Sequence, residues 1–238
     1  MIIFANGCSW TYGGSLEDYF VKDNYLDNEL RKSLVWPYHL GNLFNTDKVY
    51  NLAQGCGSNM RSLRTTRDWL SNQNSVDLQN TVAVIQFTEW SRFEIYRQLD
   101  KRNTFENIWE YWMKCKIDTA IYSGSGITAP KDIDELIDLV NRRIDMSSPI
   151  EWIYNVIGLL YSFKGLFESY GVKKYYFWQL GALWNNWPDE YKQELRKYFN
   201  ILDLDVNGWE YERISTRDTH PNINGHKQIA QIIYDKIK

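Results

Sequence analysis

Residues 2–10 read IIFANGCSW. The four apolar residues predict a short strand, and the turn that follows places Ser9 just past its end. A second string, DTHPNINGH at residues 218–226, precedes a run with helical periodicity and carries Asp218 and His220. A serine, a histidine and an acidic residue are the groups that nucleophilic catalysis combines, because the alcohol needs a base and the base needs an orienting partner.

Apolar runs and helical periodicity alternate along the 238 residues. Such alternation predicts a parallel sheet with helices on both faces, an α/β fold, and the length suits a single domain over residues 1–238. The predicted strands are Ile2–Ala5, Lys48–Leu52, Thr81–Phe87 and Lys173–Gln179. The predicted helices are Leu34–Phe44, Asn59–Leu70, Ile150–Tyr170, Asp189–Phe199 and Ile223–Ile237. Gly171 stands where a helix C-cap glycine is expected.

Residues 100–148 interrupt this alternation with a charged and aromatic segment around SGSG at 123–126. Helices are predicted over Thr104–Lys116 and Asp132–Arg143. The segment is too short for a strong core of its own, so we interpret it as a helical insertion within the domain. Two roles stay open for it: a lid over a substrate cleft, and a surface excursion or dimer contact.

Charge and cysteine content exclude several classes of protein. The net charge is −3 with no basic block, so no nucleic-acid partner is expected. No apolar run is long enough for a transmembrane helix and no signal peptide is recognised, so no membrane association is expected. The cysteines, Cys8, Cys56 and Cys115, are odd in number and irregularly spaced, which favours a reducing, cytoplasmic location.

No zinc-ligand spacing and no glycine-rich phosphate loop occurs, so neither a metal nor a nucleotide cofactor is expected. Aromatic residues are abundant, with eleven Trp and seventeen Tyr. They fit a core of large side chains, and they also fit a cleft in which rings stack on sugars. The tryptophans near predicted strand ends are Trp10, Trp90, Trp178 and Trp184.

Polar segments follow three of the predicted strands at their carboxyl ends. Ser9 follows the first, QGCGSN at 54–59 the second, and QFTEWSR at 86–92 the third. Ligands of open parallel sheets bind at this edge. We therefore expect these segments to converge there with Asp218 and His220.

Taken in order, these motifs resemble the SGNH (GDSL-like) hydrolase superfamily, above all its compact variants from bacteriophages and bacteria. The resemblance implies a flavodoxin-like, three-layer α/β/α fold. It also implies ester or acyl chemistry without a cofactor. The residues that carry it are NGCSWTYG (6–13), Trp36-Pro37 with Leu40, Asn51-Leu52-Ala53, Ser58-Asn59, Thr88 with Arg92, Asp218-Thr219-His220-Pro221-Asn222, and Gly225-His226.

Carried over residue by residue, Ser9 matches the nucleophile and His220, which precedes a proline, matches the base. His226 matches a structural position. The resemblance assigns one oxyanion donor to the Ser9 N–H and a second to the N–H of Cys56 or Gly57, where a tetrahedral intermediate would place its negative charge.

The third-strand segment and the turn before it supply the remaining candidates. The Thr88 hydroxyl would donate a hydrogen bond to the oxyanion. Asn59 is a further residue expected to bind the oxyanion or the substrate. Arg92 is either an anion clamp or the partner of Glu89 or Glu94 on a surface helix.

Three positions depart from the family pattern. Cys8 replaces the usual acidic residue before the nucleophile, and Thr88 or Glu89 stands in place of an oxyanion Asn. The orienting Asp is expected three residues before the histidine, but Arg217 occupies that position and Asp218 lies two before. Either Asp218 orients His220 through a shifted turn, or a backbone carbonyl does so.

The sequence thus predicts a serine esterase, deacylase or acyltransferase that works through an acyl-Ser9 intermediate. Its substrate would be a small-molecule ester, and the aromatic content favours an acylated carbohydrate. The alternative is a non-catalytic binding or structural protein, of phage origin, that retains the fold.

Overall fold

The central sheet has five strands, all parallel, in the order β2-β1-β3-β6-β7. Its strands are β1 (Ile2–Asn6), β2 (Val49–Asn51), β3 (Thr81–Gln86), β6 (Lys174–Trp178) and β7 (Ile201–Leu202). Two further strands, β4 (Arg92–Tyr96) and β5 (Ile108–Trp112), form a separate antiparallel pair. This computed structural model describes residues 1–14, 16, 28–55, 57–88, 92–96, 108–112, 149–178, 187–202, 204, 212–214 and 220–238.

Without the antiparallel pair, the strand order is the 2-1-3-4-5 order of flavodoxin-like folds. Its switch point lies between β1 and β3, the two strands whose carboxyl ends lead to Ser9 and Thr88. The predicted α/β class with a flavodoxin-like parallel sheet is confirmed. The sheet order itself therefore brings two of the predicted site segments side by side.

Helices connect these strands. The long helices match the predictions within one or two residues, while the short α1, α2 and α5 were not predicted. The helices are α1 (Ser9–Tyr12), α2 (Asn28–Leu34), α3 (Trp36–Leu43), α4 (Asn59–Ser71), α5 (Ser75–Gln79), α6 (Pro149–Ser169), α7 (Asp189–Tyr198) and α8 (Ile223–Ile237). Gly171 adopts a φ of 80° beyond the end of α6, as expected for a C-cap glycine.

Alternating side chains of β1 enter two different cores. Ile2 and Phe4 pack in the core beneath α4 to α7, whereas Ile3 and Ala5 pack in the core beneath α3 and α8. Alternation of this kind is what a strand covered on both faces requires. The arrangement is the predicted three-layer α/β/α sandwich.

Aromatic rings fill much of the first core. Phe177 on β6 lies 5.9 Å from Phe87 and 6.1 Å from Phe163 between ring centroids, and Phe163 stacks against Phe167 at 6.2 Å. In the second core Trp36 and Trp178 meet edge to face at 5.9 Å. Six phenylalanines and four tryptophans are buried among the described residues, whereas Tyr175 is the one buried tyrosine there.

Two local predictions are wrong, and one strand was missed. Ile108–Trp112 is a strand and not part of a helix, and Arg92 begins a strand and does not lie on a surface helix. Both segments are rich in aromatic and β-branched residues, which favour strands. Strand β7 was missed because two residues give no measurable periodicity. Among the described residues, no helix combines the length and apolar character needed to cross a membrane.

Candidate active site

Ser9 begins α1 directly after β1. Gly7 makes the turn between them, with a φ of 154°, and a Cβ there would lie 2.7 Å from the Cβ of Gln86. The Asn6 side chain holds the end of the strand in place. Its Oδ1 accepts from the Gly7 N–H at 2.9 Å, and its Nδ2 lies 3.0 Å from the Ser62 carbonyl on α4. A buried amide thus secures the turn that presents Ser9.

The Ser9 hydroxyl meets the predicted base. His220 Nε2 lies 2.8 Å from Ser9 Oγ, although 211 positions separate the two residues in the sequence. This is hydrogen-bond distance, as proton transfer between an alcohol and its base requires. Gly14 lines the same space, since a Cβ there would lie 2.9 Å from Ser9 Cβ and 3.4 Å from His220 Nε2.

Backbone pairing around the start of α8 positions His220. The His220 carbonyl accepts from the Ile214 N–H at 2.9 Å, and the Asn222 N–H donates to the Glu212 carbonyl at 3.0 Å. The Asn222 side chain caps α8 by accepting from the Gly225 N–H at 2.8 Å. Since Nε2 faces Ser9, Nδ1 is the nitrogen left for an orienting group. Asp218, the predicted partner, lies outside the described residues.

Asn59 holds the backbone of Thr88 from both sides. Its Oδ1 accepts from the Thr88 N–H at 2.8 Å, and its Nδ2 donates to the Thr88 carbonyl at 3.1 Å. Both residues are buried, and the Thr88 hydroxyl has no hydrogen-bond partner within the described part of the chain. Asn59 therefore positions Thr88, and the Thr88 hydroxyl is available for a further bond.

The glycine-rich turn after β2 contacts the turn that carries Ser9. The Gln54 N–H donates to the Gly7 carbonyl at 3.3 Å, and a Cβ on Gly57 would lie 3.3 Å from the same oxygen. The Gly57 N–H itself donates to the Gln54 carbonyl at 3.0 Å, so it is engaged within its own turn. Cys56 and the Arg92 side chain lie outside the described residues.

Sequence reasoning missed Thr11 and Gln86. The Thr11 hydroxyl and N–H both donate to Gln86 Oε1, at 2.6 and 3.1 Å, and Asn51 Nδ2 donates to the Thr11 carbonyl at 2.8 Å. A signal for Gln86 was present, since it is a polar residue that ends an otherwise apolar strand. A buried amide in that position needs partners.

His226 lies close by but is wholly buried. Its Nδ1 accepts from the Trp36 N–H at 3.2 Å, and its Nε2 has no hydrogen-bond partner among the described residues. Burial lowers the pKa of His226 to about 3, with smaller contributions from positive charge on His39 and His220. A neutral imidazole fits the structural position that the sequence predicted for it.

Trp178, one of the tryptophans considered for sugar stacking, is fully buried and so unavailable to a ligand. Trp10 is half-buried, and its ring centroid lies 6.4 Å from that of His220. Trp90 and Trp184 lie outside the described residues. Among the candidates within the described residues, Trp10 lies beside Ser9 and His220.

No family model and no curated protein matches the sequence. Solved structures do match: TesA has a TM-score of 0.51 at 10% identity, covering 100% of this chain and 98% of that chain. A member of the lipolytic protein G-D-S-L family from Veillonella parvula has a TM-score of 0.45 at 10% identity. The match covers 99% of this chain and 97% of that chain. The psychrotrophic esterase EstA from Pseudoalteromonas sp. has a TM-score of 0.47 at 11% identity. The match covers 99% of this chain and 96% of that chain.

The chain has the fold of TesA. At these identities the likeness concerns the fold, which confirms the three-layer architecture that the resemblance in the sequence implied. This fold places the end of β1 and the start of α8 at one edge of the sheet. The reaction has to be argued from the side chains found there.

Proposed function

We propose that the protein is a serine esterase or deacylase, with Ser9 as nucleophile and His220 as general base. The observation that carries this proposal is the 2.8 Å contact between Ser9 Oγ and His220 Nε2. An imidazole within hydrogen-bond reach of a hydroxyl is the arrangement that activates an alcohol as a nucleophile.

In the first half of the reaction, Ser9 Oγ bonds to the acyl carbon while its proton passes to His220 Nε2. The tetrahedral intermediate then collapses, the bond to the alcohol oxygen breaks, and that oxygen takes the proton from His220. In the second half, water loses a proton to His220 as it attacks the acyl-Ser9 ester, and Ser9 Oγ regains the proton as the acid leaves. An acceptor alcohol in place of water would give acyl transfer.

Two donors on this chain support stabilisation of the oxyanion. The Ser9 N–H opens the first turn of α1 and has no acceptor among the described residues. The Thr88 hydroxyl is unpartnered there and held in place through Asn59. The engagement of the Gly57 N–H favours Cys56 as the donor from the glycine-rich turn. Preorganised donors of this kind stabilise the charge that develops on the carbonyl oxygen.

Asp218 is proposed as the group that accepts a hydrogen bond from His220 Nδ1. An ionised partner there would maintain the tautomer whose Nε2 accepts the Ser9 proton. Arg92 is proposed as a clamp for an anionic part of the substrate. For the substrate itself we propose an acylated carbohydrate, with the half-buried ring of Trp10 as the surface on which a sugar ring stacks.

The decisive experiment is labelling with a fluorophosphonate probe, combined with hydrolysis of p-nitrophenyl acetate. The wild-type protein should take up one probe per chain at Ser9, and Ser9→Ala should lose both labelling and turnover at an unchanged melting temperature. Ser162→Ala, on the exposed face of α6, is the matched control and should behave as the wild type. A folded wild-type protein that neither labels nor hydrolyses would favour the non-catalytic binding protein.

A further inference from the structure

A chain of hydrogen bonds runs through the buried region behind Ser9. Gln86 Oε1 accepts from the Thr11 hydroxyl at 2.6 Å, and Thr11 Oγ1 accepts from Trp36 Nε1 at 3.3 Å. The backbone N–H of Trp36 then donates to His226 Nδ1 at 3.2 Å. All four residues are 0% exposed. Buried polar groups joined in this way have few alternative arrangements.

The members of this chain lie next to the two halves of the catalytic pair. Thr11 lies in α1, two residues after Ser9, and His226 lies in the first turn of α8, six residues after His220. The His226 N–H also donates to the carbonyl of Asn222, the N-cap of α8. Trp36 opens α3 and bridges the two helices. The connection therefore runs from α1, which carries Ser9, through Trp36 to α8, which follows His220.

The nucleophile turn depends on such external anchors. Helix α1 has four residues, and a single helical turn is unstable by itself because nucleation fixes several dihedral angles for very few hydrogen bonds. Thr11 is bonded at its N–H, its carbonyl and its hydroxyl to groups on other elements. The partners of Thr11 therefore contribute to the orientation of α1, and with it to that of the Ser9 hydroxyl, beside the hydrogen bonds of Asn6.

We propose that the buried chain Gln86–Thr11–Trp36–His226 sets the separation of Ser9 Oγ and His220 Nε2, with Thr11 and His226 as positioning residues. The inference rests on the proposed esterase function for its importance. Neither residue touches the reacting atoms. Thr11 acts through α1, which carries Ser9, and His226 acts through α8, which follows His220.

The protonation state of His226 agrees with this role. Because Nδ1 accepts a hydrogen bond from Trp36, the proton of the neutral ring lies on Nε2. A protonated ring would carry a hydrogen at Nδ1 and lose the bond to Trp36. The lowered pKa of His226 keeps the ring neutral and the bond intact at neutral pH.

The test compares matched pairs of variants. Thr11→Val removes the hydroxyl at nearly constant size, whereas Thr11→Ser retains it. His226→Leu removes the acceptor for Trp36, whereas His226→Asn retains an oxygen near the place of Nδ1. For each variant we would measure kcat and KM with p-nitrophenyl acetate, the rate of fluorophosphonate labelling, and the melting temperature.

Misplacing a catalytic group by about 1 Å can cost on the order of 100-fold in rate. We expect Thr11→Val and His226→Leu to lose roughly 10- to 100-fold in kcat and labelling rate with little change in KM, while Thr11→Ser and His226→Asn recover most of the loss. The double variant Thr11→Val/His226→Leu should lose less than the product of the single losses, because both act on one chain of contacts.

A melting temperature that falls in Thr11→Val and His226→Leu, with kcat and labelling rate unchanged, would overturn the inference. So would a crystal structure of Thr11→Val in which Ser9 Oγ and His220 Nε2 remain 2.8 Å apart, whatever the protein's activity. A wild-type protein that does not react with the probe at all would instead contradict the proposed function. The His226 pair decides the matter if Thr11→Val fails to fold.

Discussion

The aromatic cluster beneath α6 and the buried polar chain behind Ser9 differ in the kind of contact that holds them together. In the cluster, the rings of Phe163, Phe167 and Phe177 pack at centroid distances near 6 Å and are fully buried. Packing of this kind has no direction and stabilises in proportion to the area buried. In the polar chain, each contact depends on a donor facing one particular acceptor. The first region should govern stability, whereas the second should govern the geometry of the reacting groups.

Replacing the proposed base should have the largest effect, and it should change the reaction rate and not the stability. We expect His220→Ala to reduce kcat by several orders of magnitude, as removal of a triad member does, because Ser9 loses its proton acceptor. His226→Ala should cost far less, since its ring does not touch Ser9. Steady-state kinetics and thermal melts of both variants check this. A larger loss of kcat in His226→Ala would reverse the assignment of the two histidines.

Truncation in the aromatic cluster should show the opposite pattern. Phe167→Ala removes a fully buried ring that stacks 5.3 Å from Tyr175, and we expect it to lower the free energy of unfolding by about 3–5 kcal/mol. The folded fraction should keep its kcat, because the ring packs against other aromatic rings and not against the catalytic pair. Urea denaturation and kinetics at low temperature separate the two quantities. Phe167→Leu, which leaves a smaller cavity, serves as the graded control.

A methyl group added beside the catalytic pair should sharpen the comparison. In Gly14→Ala the new Cβ would lie 2.9 Å from Ser9 Cβ, so Ser9 or residue 14 must shift. We expect kcat to fall by roughly 10- to 100-fold, in keeping with the cost of a misplaced reacting group. Gly165→Ala, with no atom of the described residues within 4 Å of its new methyl outside its own helix, should leave kcat unchanged and stabilise α6 slightly. Equal kinetics for both variants would show that Gly14 does not bound the site.

The last prediction concerns pH and the polar chain alone. The pKa of His226 is about 3 in the folded protein, against 6.5 for an unperturbed histidine, so the unfolded chain binds one more proton between these values. Its contribution to stability is therefore complete above pH 6.5 and lost as the pH falls towards 3, at up to about 1.4 kcal/mol per pH unit. Urea titrations at pH 7 and pH 5 give the free energy of unfolding at each pH. This free energy should change less with pH in His226→Leu than in the wild type. Parallel curves would contradict the buried, neutral histidine.

Four of the five strands of the sheet and its long helices were predictable because their periodicity is local. Helix α8 matches its prediction at both ends, and its start follows from the Asn222 cap and the residues behind it. Strand β5 was mistaken for part of a helix because a five-residue aromatic run shows no decisive period. The contact between Thr11 and Gln86 escaped notice because 75 positions separate the two residues in the sequence.

The sequence by itself determined the alternation of strands and helices, the serine after the first strand, and the histidine before the last helix. These depend on local periodicity, turn residues and helix caps, which neighbouring positions specify. Only the tertiary structure decided that Ser9 Oγ and His220 Nε2 lie 2.8 Å apart, that Asn59 holds Thr88, and that Thr11 joins Gln86 to Trp36. The physical reason is that such contacts follow from the order of strands in the sheet and from packing between helices, which no local pattern encodes.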